Sequence, residues 1–558
     1  MAESALSTKP PQQPYPNFYC TKTGIYSSKH PRVELPEDPF LDVVSFIFSH
    51  KHNGHTALID SSSGSSILYK DLFPMVKSMA YGLQSLGNIK QGDVVLLFLP
   101  SSIHYPVVFL SVLYLGAIVS TMNPLSSLEE IRKQVTELRP CMAFTNLESV
   151  GKLESLKIPV VCIPGELGSN EERDRFEVFY KLVNGGFDAG LFRKPLIRQE
   201  DTAAILYSSG TTGASKGVIL THKTLISMVE LMVRNEASLY KDWPSSENTY
   251  IATVPMFHIF GIAYFVMGLF SLGTCVVVMK RFHPDEAVKV IDHYGVTHLS
   301  VVPPMLPSMM RSAKNGGSSL KSLKQICCGA APLSAKVIQE FLEAYPHVDF
   351  IQGFGMTESP GVGARGFNTK KFRKYSSVGL LTANGQAKIV DCATGSFLPP
   401  GCSGELCLRG TGVMKGYLNN KEATAMAIDE EGWFHTGDIG YIDSDGYLFV
   451  VDRLKDTIKY KGFQIAPADL ESILMKHPEV LDAAVVGVVD SECGEIPAAF
   501  VVRKPGSSLT ERDVISYVAA QVTPYKKVRK VVFTQSIPKS AAGKILKREL
   551  RNSLSSKL

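Results

Sequence analysis

Leu206-Tyr-Ser-Ser-Gly-Thr-Thr-Gly-Ala-Ser-Lys-Gly217 is the densest signal in the chain. An apolar run, Thr202 to Tyr207, leads into it. Val218-Ile-Leu220 leads out, towards a helix that Thr221 is placed to cap. In that helix Leu225, Val229 and Met232 fall on one face. Glycines let successive backbone N–H groups close on an anion, the hydroxyls of Ser208, Ser209, Thr211 and Thr212 add donors, and Lys216 adds a charge. The segment therefore reads as a phosphate cradle held between two strands. It is not a Walker loop, because no Gly-Lys-Ser/Thr closes it.

From about residue 35 to about 380, strand-like runs such as Val94 to Leu99 and Thr297 to Val302 alternate with helical runs such as Asp285 to Tyr294. Such alternation predicts α/β layers around parallel sheets. Between about 380 and 450 the texture changes to short strands and Gly/Pro turns, as in Pro399-Pro-Gly-Cys-Ser-Gly-Glu-Leu-Cys-Leu-Arg-Gly410, which predicts a small β-barrel or an antiparallel sheet. After Asp452 the pattern runs strand, helix, two strands, helix, strand, an α+β unit of about 100 residues. Residues 1 to about 35, rich in Pro and polar residues, are expected to wrap a surface.

The 558 residues are enough for three or four structural units at about 150 residues each. At 45% hydrophobic and 20% charged, the composition excludes disorder, collagen and coiled coil. The net charge of +5 is too small for a protein that coats nucleic acid. It is unevenly spread, since Gln521 to Leu558 carries ten Lys or Arg against Glu549 alone. The ten cysteines form no CxxC pair, which points to reduced thiols in an intracellular protein. No signal peptide is visible at Met1. The uncharged stretch Ile259 to Met279 meets the length of a membrane span, but its glycines and its β-branched end predict a buried helix, a turn and a buried strand. The last residues, Ser556-Lys-Leu558, match a peroxisomal address and predict an import receptor as partner.

The segment Ser208 to Gly217 resembles the signature of the acyl-adenylate-forming enzymes: acyl-CoA synthetases, beetle luciferases and peptide-synthetase adenylation domains. Further matches follow in order: Pro255-Met-Phe-His-Ile-Phe-Gly261, Gly329-Ala-Ala-Pro332, Gln352-Gly-Phe-Gly-Met-Thr-Glu358, Thr436-Gly-Asp438, Asp452-Arg453 and Pro538-Lys-Ser-Ala-Ala-Gly-Lys544. Lys459-Tyr-Lys-Gly-Phe-Gln464 and Gly404-Glu-Leu-Cys-Leu-Arg-Gly410 look most like plant 4-coumarate:CoA ligases and their peroxisomal relatives. The resemblance implies a large N-terminal domain, residues 1–453, of two α/β layered subdomains plus a small β-barrel. A mobile α+β C-terminal domain, residues 454–558, would follow it.

The implied reaction is ATP- and Mg2+-dependent: a carboxylic acid becomes an acyl-adenylate, then a CoA thioester. By resemblance, Ser208, Ser209, Gly210, Thr211, Thr212, Gly213 and Lys216 hold the β- and γ-phosphates. Thr357 contacts phosphate, and Glu358 holds Mg2+. Phe354 lies against adenine, with Gly329, Ala330 and Ala331 along its edge and Gln352 and Gly353 adjoining. Asp438 accepts the ribose hydroxyls with Arg453 nearby, and Lys544 bridges the α-phosphate and the substrate carboxylate. Opposing anions must be brought together there, so catalysis is mostly positioning plus charge neutralisation.

Two half-reactions need two geometries, and the resemblance implies rotation of the C-terminal domain about Lys455. Lys459 and Gln464 then replace Lys544, Lys461 and Gly462 line the CoA tunnel, and His258 gates the acyl pocket or assists thiol attack. His258, Ile259, Phe260, Tyr264, Gly329, Gly355, Gly361 and Val362 are expected around the acid. Phe260 stands where the ligases usually have a Tyr, which leaves open an aryl-propenoic acid, a medium-chain acid or a jasmonate-precursor acid. The alternatives are a luciferase-like oxygenase, a carrier-loading enzyme and a catalytically dead nucleotide binder.

Overall fold

The computed structural model describes residues 16–164, 176–185, 192–208, 215–331, 333, 335–368, 373–460, 463–490, 494–522, 524–539 and 545–555, with 455, 459, 463, 464, 494 and 555 as backbone only. Three sheets organise them.

The first sheet grows from the signature hairpin. Thr202–Ser208 and Lys216–Thr221 pair antiparallel, with Ser208 opposite Lys216. Thr221 Oγ1 accepts the backbone N–H of Thr224 at 3.1 Å and starts the helix His222–Ser227, as the sequence predicts. Ile118–Thr121, Val94–Phe98, Met142–Thr145 and Val160–Cys162 continue the sheet in parallel from Thr202–Ser208, and Gly416–Tyr417 adds to its other edge. These inner strands are Val/Leu-rich and buried on both faces, as a parallel sheet requires.

The second sheet has 15 strands. Its central stretch, Thr56–Asp60, Cys275–Val278, Thr249–Ala252, His298–Val301, Gln325–Cys328 and Asp349–Phe354, is parallel. At Asp349–Phe354 it turns antiparallel through Ala364–Arg365, Gly379–Leu381, Tyr447–Arg453, Phe434–Ile442, Gly404–Arg409 and Gln386–Val390. This corrects one expectation: the antiparallel strands of 380–450 do not close into a barrel. Their edge is taken up instead by Ala364–Arg365, which joins them to the parallel sheet, and at the far end by Ile25–Ser27 from the N-terminal segment. An edge covered in this way needs no closure.

Ile259 to Met279 is a short helical stretch with a π-helical turn, Ile262–Met267, a 3-10 turn, and the strand Cys275–Val278. Among the described residues no helix is long and apolar enough to cross a membrane. The third sheet joins Phe463–Ile465, Ile458–Tyr460, Gly494–Arg503, Val480–Asp490 and Lys530–Phe533. With Pro467–Met475, Glu511–Ala519 and Lys547–Ser555 it has apolar cores of its own. The last helix was not foreseen in the sequence.

Candidate active site

In parallel α/β sheets, ligands sit beyond the carboxyl ends of the strands. Ser208 ends its strand in the first sheet. Gly329 follows Gln325–Cys328 in the second, and Gly355 to Glu358 follow Asp349–Phe354. The two ends meet: Ser208 Oγ donates to Glu358 Oε1 at 2.8 Å, and Tyr417 Oη donates to the same oxygen at 3.2 Å. Lys216 Nζ lies 4.8 Å from the centre of the Tyr417 ring. A buried carboxylate, a cation and two hydroxyls thus gather beside the hairpin tip. Tyr417 was missed from sequence; its one local cue is Gly416 before it in Met414-Lys-Gly-Tyr417. Burial and the Glu358 carboxylate push its phenol up, so it stays a donor at neutral pH.

Ala330 adopts φ 71°, a left-handed conformation unusual for a residue with a Cβ. Gly329 is buried beneath it, and Ala331 is half-buried. Phe354 is half-buried against Val362 and Ala364, and Thr357 is half-buried. Gln352 donates its amide to the Tyr375 carbonyl at 2.7 Å, a tie within the protein. Farther along the sheet Asp438 is almost wholly buried, and its Oδ1 accepts from Arg453 Nε at 2.8 Å. Thr436 Oγ1 holds the backbone of Asp438 by accepting its N–H at 3.1 Å.

The residues expected around the acid are placed as follows. Phe260 and Tyr264 meet edge to face at 5.4 Å. A Cβ on Gly329 would lie 3.6 Å from Phe260, and one on Gly355 would lie 3.9 Å from the Met232 terminal methyl. Gly329 thus borders Phe260, and Gly355 borders Met232, without a side chain between. Met232 and Tyr264 sit on the π-helical turns Met228–Arg234 and Ile262–Met267, which sequence periodicity does not reveal. Behind Tyr264 a buried cavity of about 20 Å³, room for one water, is lined by Glu236, Tyr240, Tyr250 and His298. Tyr264 Oη is 3.5 Å from Glu236 Oε2, and Arg365 pairs with Glu236 at 2.5 Å. Burial outweighs the Arg365 charge and lifts the Glu236 carboxyl to about 7.

Ile259 is buried. Gly361 and Val362 are placed otherwise: Gly361 packs against the Gly412 backbone, where a Cβ would come within 2.8 Å, and Val362 is enclosed in the core of the antiparallel strands. His258 caps Ile259–Gly261, its Nδ1 accepting from Phe260 N at 3.4 Å. Its ring is exposed, yet desolvation lowers its pKa, so the imidazole is neutral at neutral pH.

Ser209, Gly210, Thr211, Thr212, Gly213, Lys461, Gly462, Lys544, Ser556, Lys557 and Leu558 lie outside the described residues, as do the side chains of Lys455, Lys459 and Gln464.

Two layered α/β sheets thus meet at their carboxyl ends around Ser208, Lys216, Glu358 and Tyr417. The same architecture is found in the ATP-bound MatB of Rhodopseudomonas palustris, which superposes with a TM-score of 0.82 at 25% identity over 92% of this chain and 99% of that one. Residues 47–418 match the AMP-binding enzyme family and residues 469–544 the AMP-binding enzyme C-terminal domain. The chain is 56% identical to 4-coumarate--CoA ligase-like 6 of Arabidopsis thaliana, over 99% of this chain and 98% of that protein. It is 44% identical to peroxisomal OPC-8:0-CoA ligase 1 of the same plant, over 95% of this chain and 96% of that protein. The chain belongs to the AMP-binding enzyme family. Its reaction class is the ATP-dependent, adenylate-forming ligation of a carboxylic acid to CoA.

Proposed function

We propose that this enzyme activates an apolar aryl-propenoic or medium-chain carboxylic acid, including jasmonate-precursor acids, and that it does so in the peroxisome. The observation that carries the substrate reading is the aromatic pair Phe260 and Tyr264, with Gly329 bare beside Phe260 and Gly355 bare beside Met232, which we read as an apolar slot. Such a slot favours a flat ring or an extended chain over a small polar acid. Phe260 offers no hydroxyl to a phenol, a loss of order 1 kcal/mol for a 4-hydroxylated ring.

In the first half-reaction a carboxylate oxygen attacks the α-phosphorus of ATP and pyrophosphate leaves. Ser208, Lys216 and the loop between them bind the phosphates. Asp438, oriented by Arg453 and Thr436, accepts the ribose hydroxyls. Phe354 and the Gly329–Ala331 turn carry adenine. Lys544 holds the carboxylate and the α-phosphate together. Glu358 is a hard oxygen donor beside the Ser208 hydroxyl, a set that suits Mg2+, which would neutralise phosphate charge when bound.

In the second half-reaction the CoA thiol attacks the acyl carbonyl carbon and AMP leaves. The reading divides the chain at residue 453, with 454–558 turning about Lys455 to exchange Lys544 for Lys459 and Gln464. Lys461 and Gly462 would then line the pantetheine tunnel. His258, neutral and beside the slot, is suited to accept the thiol proton. The peroxisomal address rests on Ser556-Lys-Leu558 and on a relative that is itself named peroxisomal.

A panel of carboxylic acids with ATP and CoA, reading pyrophosphate and acyl-CoA separately, tests the proposal. Cinnamic-type or medium-chain acids should give both products. Turnover confined to acetate and similarly short acids would refute the pocket reading.

A further inference from the structure

Cys407, Glu405 and His435 converge on the antiparallel part of the large sheet. Cys407 and His435 are cross-strand partners in Gly404–Arg409 and Phe434–Ile442. Cys407 Sγ lies 3.5 Å from His435 Nδ1, and Glu405 Oε2 lies 3.2 Å from the same nitrogen. One ring nitrogen carries either one lone pair or one N–H in its plane. It can therefore serve the thiol or the carboxylate with its single in-plane site, and the second neighbour is left competing for it.

We propose that Glu405, Cys407 and His435 form a binding site for a divalent transition-metal ion, zinc being the best match. A tetrahedral zinc with a thiolate at about 2.3 Å, an imidazole nitrogen at about 2.0 Å and a carboxylate oxygen at about 2.1 Å needs sulfur and nitrogen about 3.5 Å apart, and nitrogen and oxygen about 3.4 Å apart. The observed separations are 3.5 and 3.2 Å, and all three donor atoms lie within 4.8 Å of one another. Thiolate, imidazole and carboxylate together suit a borderline cation and balance its two charges.

The ring is also backed as metal-bound histidines are. Its far nitrogen, Nε2, faces Asp429 Oδ2 at 3.6 Å, leaving Nδ1 for the ion. Lys388, opposite Cys407 in the ladder, turns its ammonium to Glu431 at 3.3 Å and to the faces of Phe397 and Trp433. Cys407 is 1% exposed, while His435 and Glu405 are half-buried, so the ion enters past the latter two and water completes its coordination. Alternation along Phe434–Ile442 puts His435 on one face and Asp438 on the other. The metal site is thus separate from the nucleotide site but shares its strand.

Zn2+ titration of the full chain against a chromophoric chelator, with Co2+ as the spectroscopic probe, tests this. One ion should bind per chain, and the Co2+ complex should show a thiolate charge-transfer band. Cys407→Ser should abolish the band and His435→Gln should weaken Zn2+ binding at least about tenfold. Cys20→Ser, which removes an exposed thiol on Tyr19–Cys20, should change neither. X-ray absorption of the zinc-loaded wild type needs no variant and should show one sulfur at about 2.3 Å with nitrogen or oxygen neighbours. Absence of stoichiometric binding, a band that survives Cys407→Ser, or a first shell without sulfur would overturn the site.

Discussion

Ser208 Oγ and Glu358 Oε1 are 2.8 Å apart, and this bond ties the carboxyl end of one sheet to that of another. The contact spans 150 residues of sequence. It fixes the carboxylate beside the Ser208 hydroxyl, so on the proposed reading one structural unit would hold both phosphate and metal. Glu358→Gln keeps the size and one acceptor but removes the charge. Adenylate formation, measured by pyrophosphate release, should fall about 100-fold or more, on the scale of removing a preorganised electrostatic group. Ser208→Ala should fall less, because Tyr417 still holds the carboxylate at 3.2 Å.

Phe260 stacks edge to face on Tyr264 and faces the space above Gly329. Phe260→Tyr adds a hydroxyl to that wall. It should raise kcat/KM for 4-coumarate relative to cinnamate by about fivefold to tenfold, the worth of one hydrogen bond of about 1 kcal/mol. Steady-state acyl-CoA formation with both acids checks it. An unchanged ratio would place Phe260 off the substrate.

Lys547 and Arg551, one turn apart on Lys547–Ser555, brace the segment that runs from Asp452 to Asp456. Lys547 Nζ is 3.4 Å from Glu471 and 3.7 Å from Asp452, Arg551 is 3.3 Å from Asp456, and Asp452 Oδ2 also accepts the Ala468 N–H at 2.9 Å. Replacing both by Ala should loosen that segment by of order 1 kcal/mol, seen as roughly fivefold faster amide exchange in residues 452–458. Exchange read by mass spectrometry should leave the hairpin 202–221 unchanged.

Two buried histidines, His222 and His298, and the half-buried His104 weaken the fold in acid. Burial lowers His104 to about 4, His222 to about 4 and His298 to about 3, against 6.5 when unfolded. Above pH 6.5 both states are neutral and nothing is lost. As pH falls below 6.5 the unfolded chain takes up these protons first, so stability falls, by about 1.4 kcal/mol per pH unit for each imidazole within its window. Glu236, lifted to about 7 in the fold against 4.5 when unfolded, is protonated first in the folded state and offsets about one of these imidazoles over the same range, so denaturant unfolding between pH 7 and 4.5 should show a net loss that His222→Asn makes shallower.

Much of this was legible in the sequence because it is local. The hairpin around Ser208, the Thr221 cap, and the elements Val94–Phe98 and Pro284–Tyr294 each follow from patterns within a dozen residues. What was not legible depends on long-range pairing. Tyr417 reaches Glu358 because Gly416–Tyr417 adds to the strand Lys216–Thr221, some 200 residues earlier. The short strands after residue 380 have the texture of a barrel, and only their pairing with Ala364–Arg365 shows the sheet staying open. Cys407 and His435 lack any metal-motif spacing, since a ladder and not the chain brings them together.

The fate of carboxylate oxygen tests the central claim most directly. An acid labelled with 18O in its carboxylate, turned over with ATP and CoA, should deliver one labelled oxygen to the phosphate of AMP. The attacking oxygen becomes the acyl–phosphate bridge and stays with phosphorus when the thiol displaces it. Lys544→Ala should form no labelled AMP while still binding ATP. Unlabelled AMP alongside acyl-CoA, or label appearing in orthophosphate or pyrophosphate, would contradict an acyl-adenylate path.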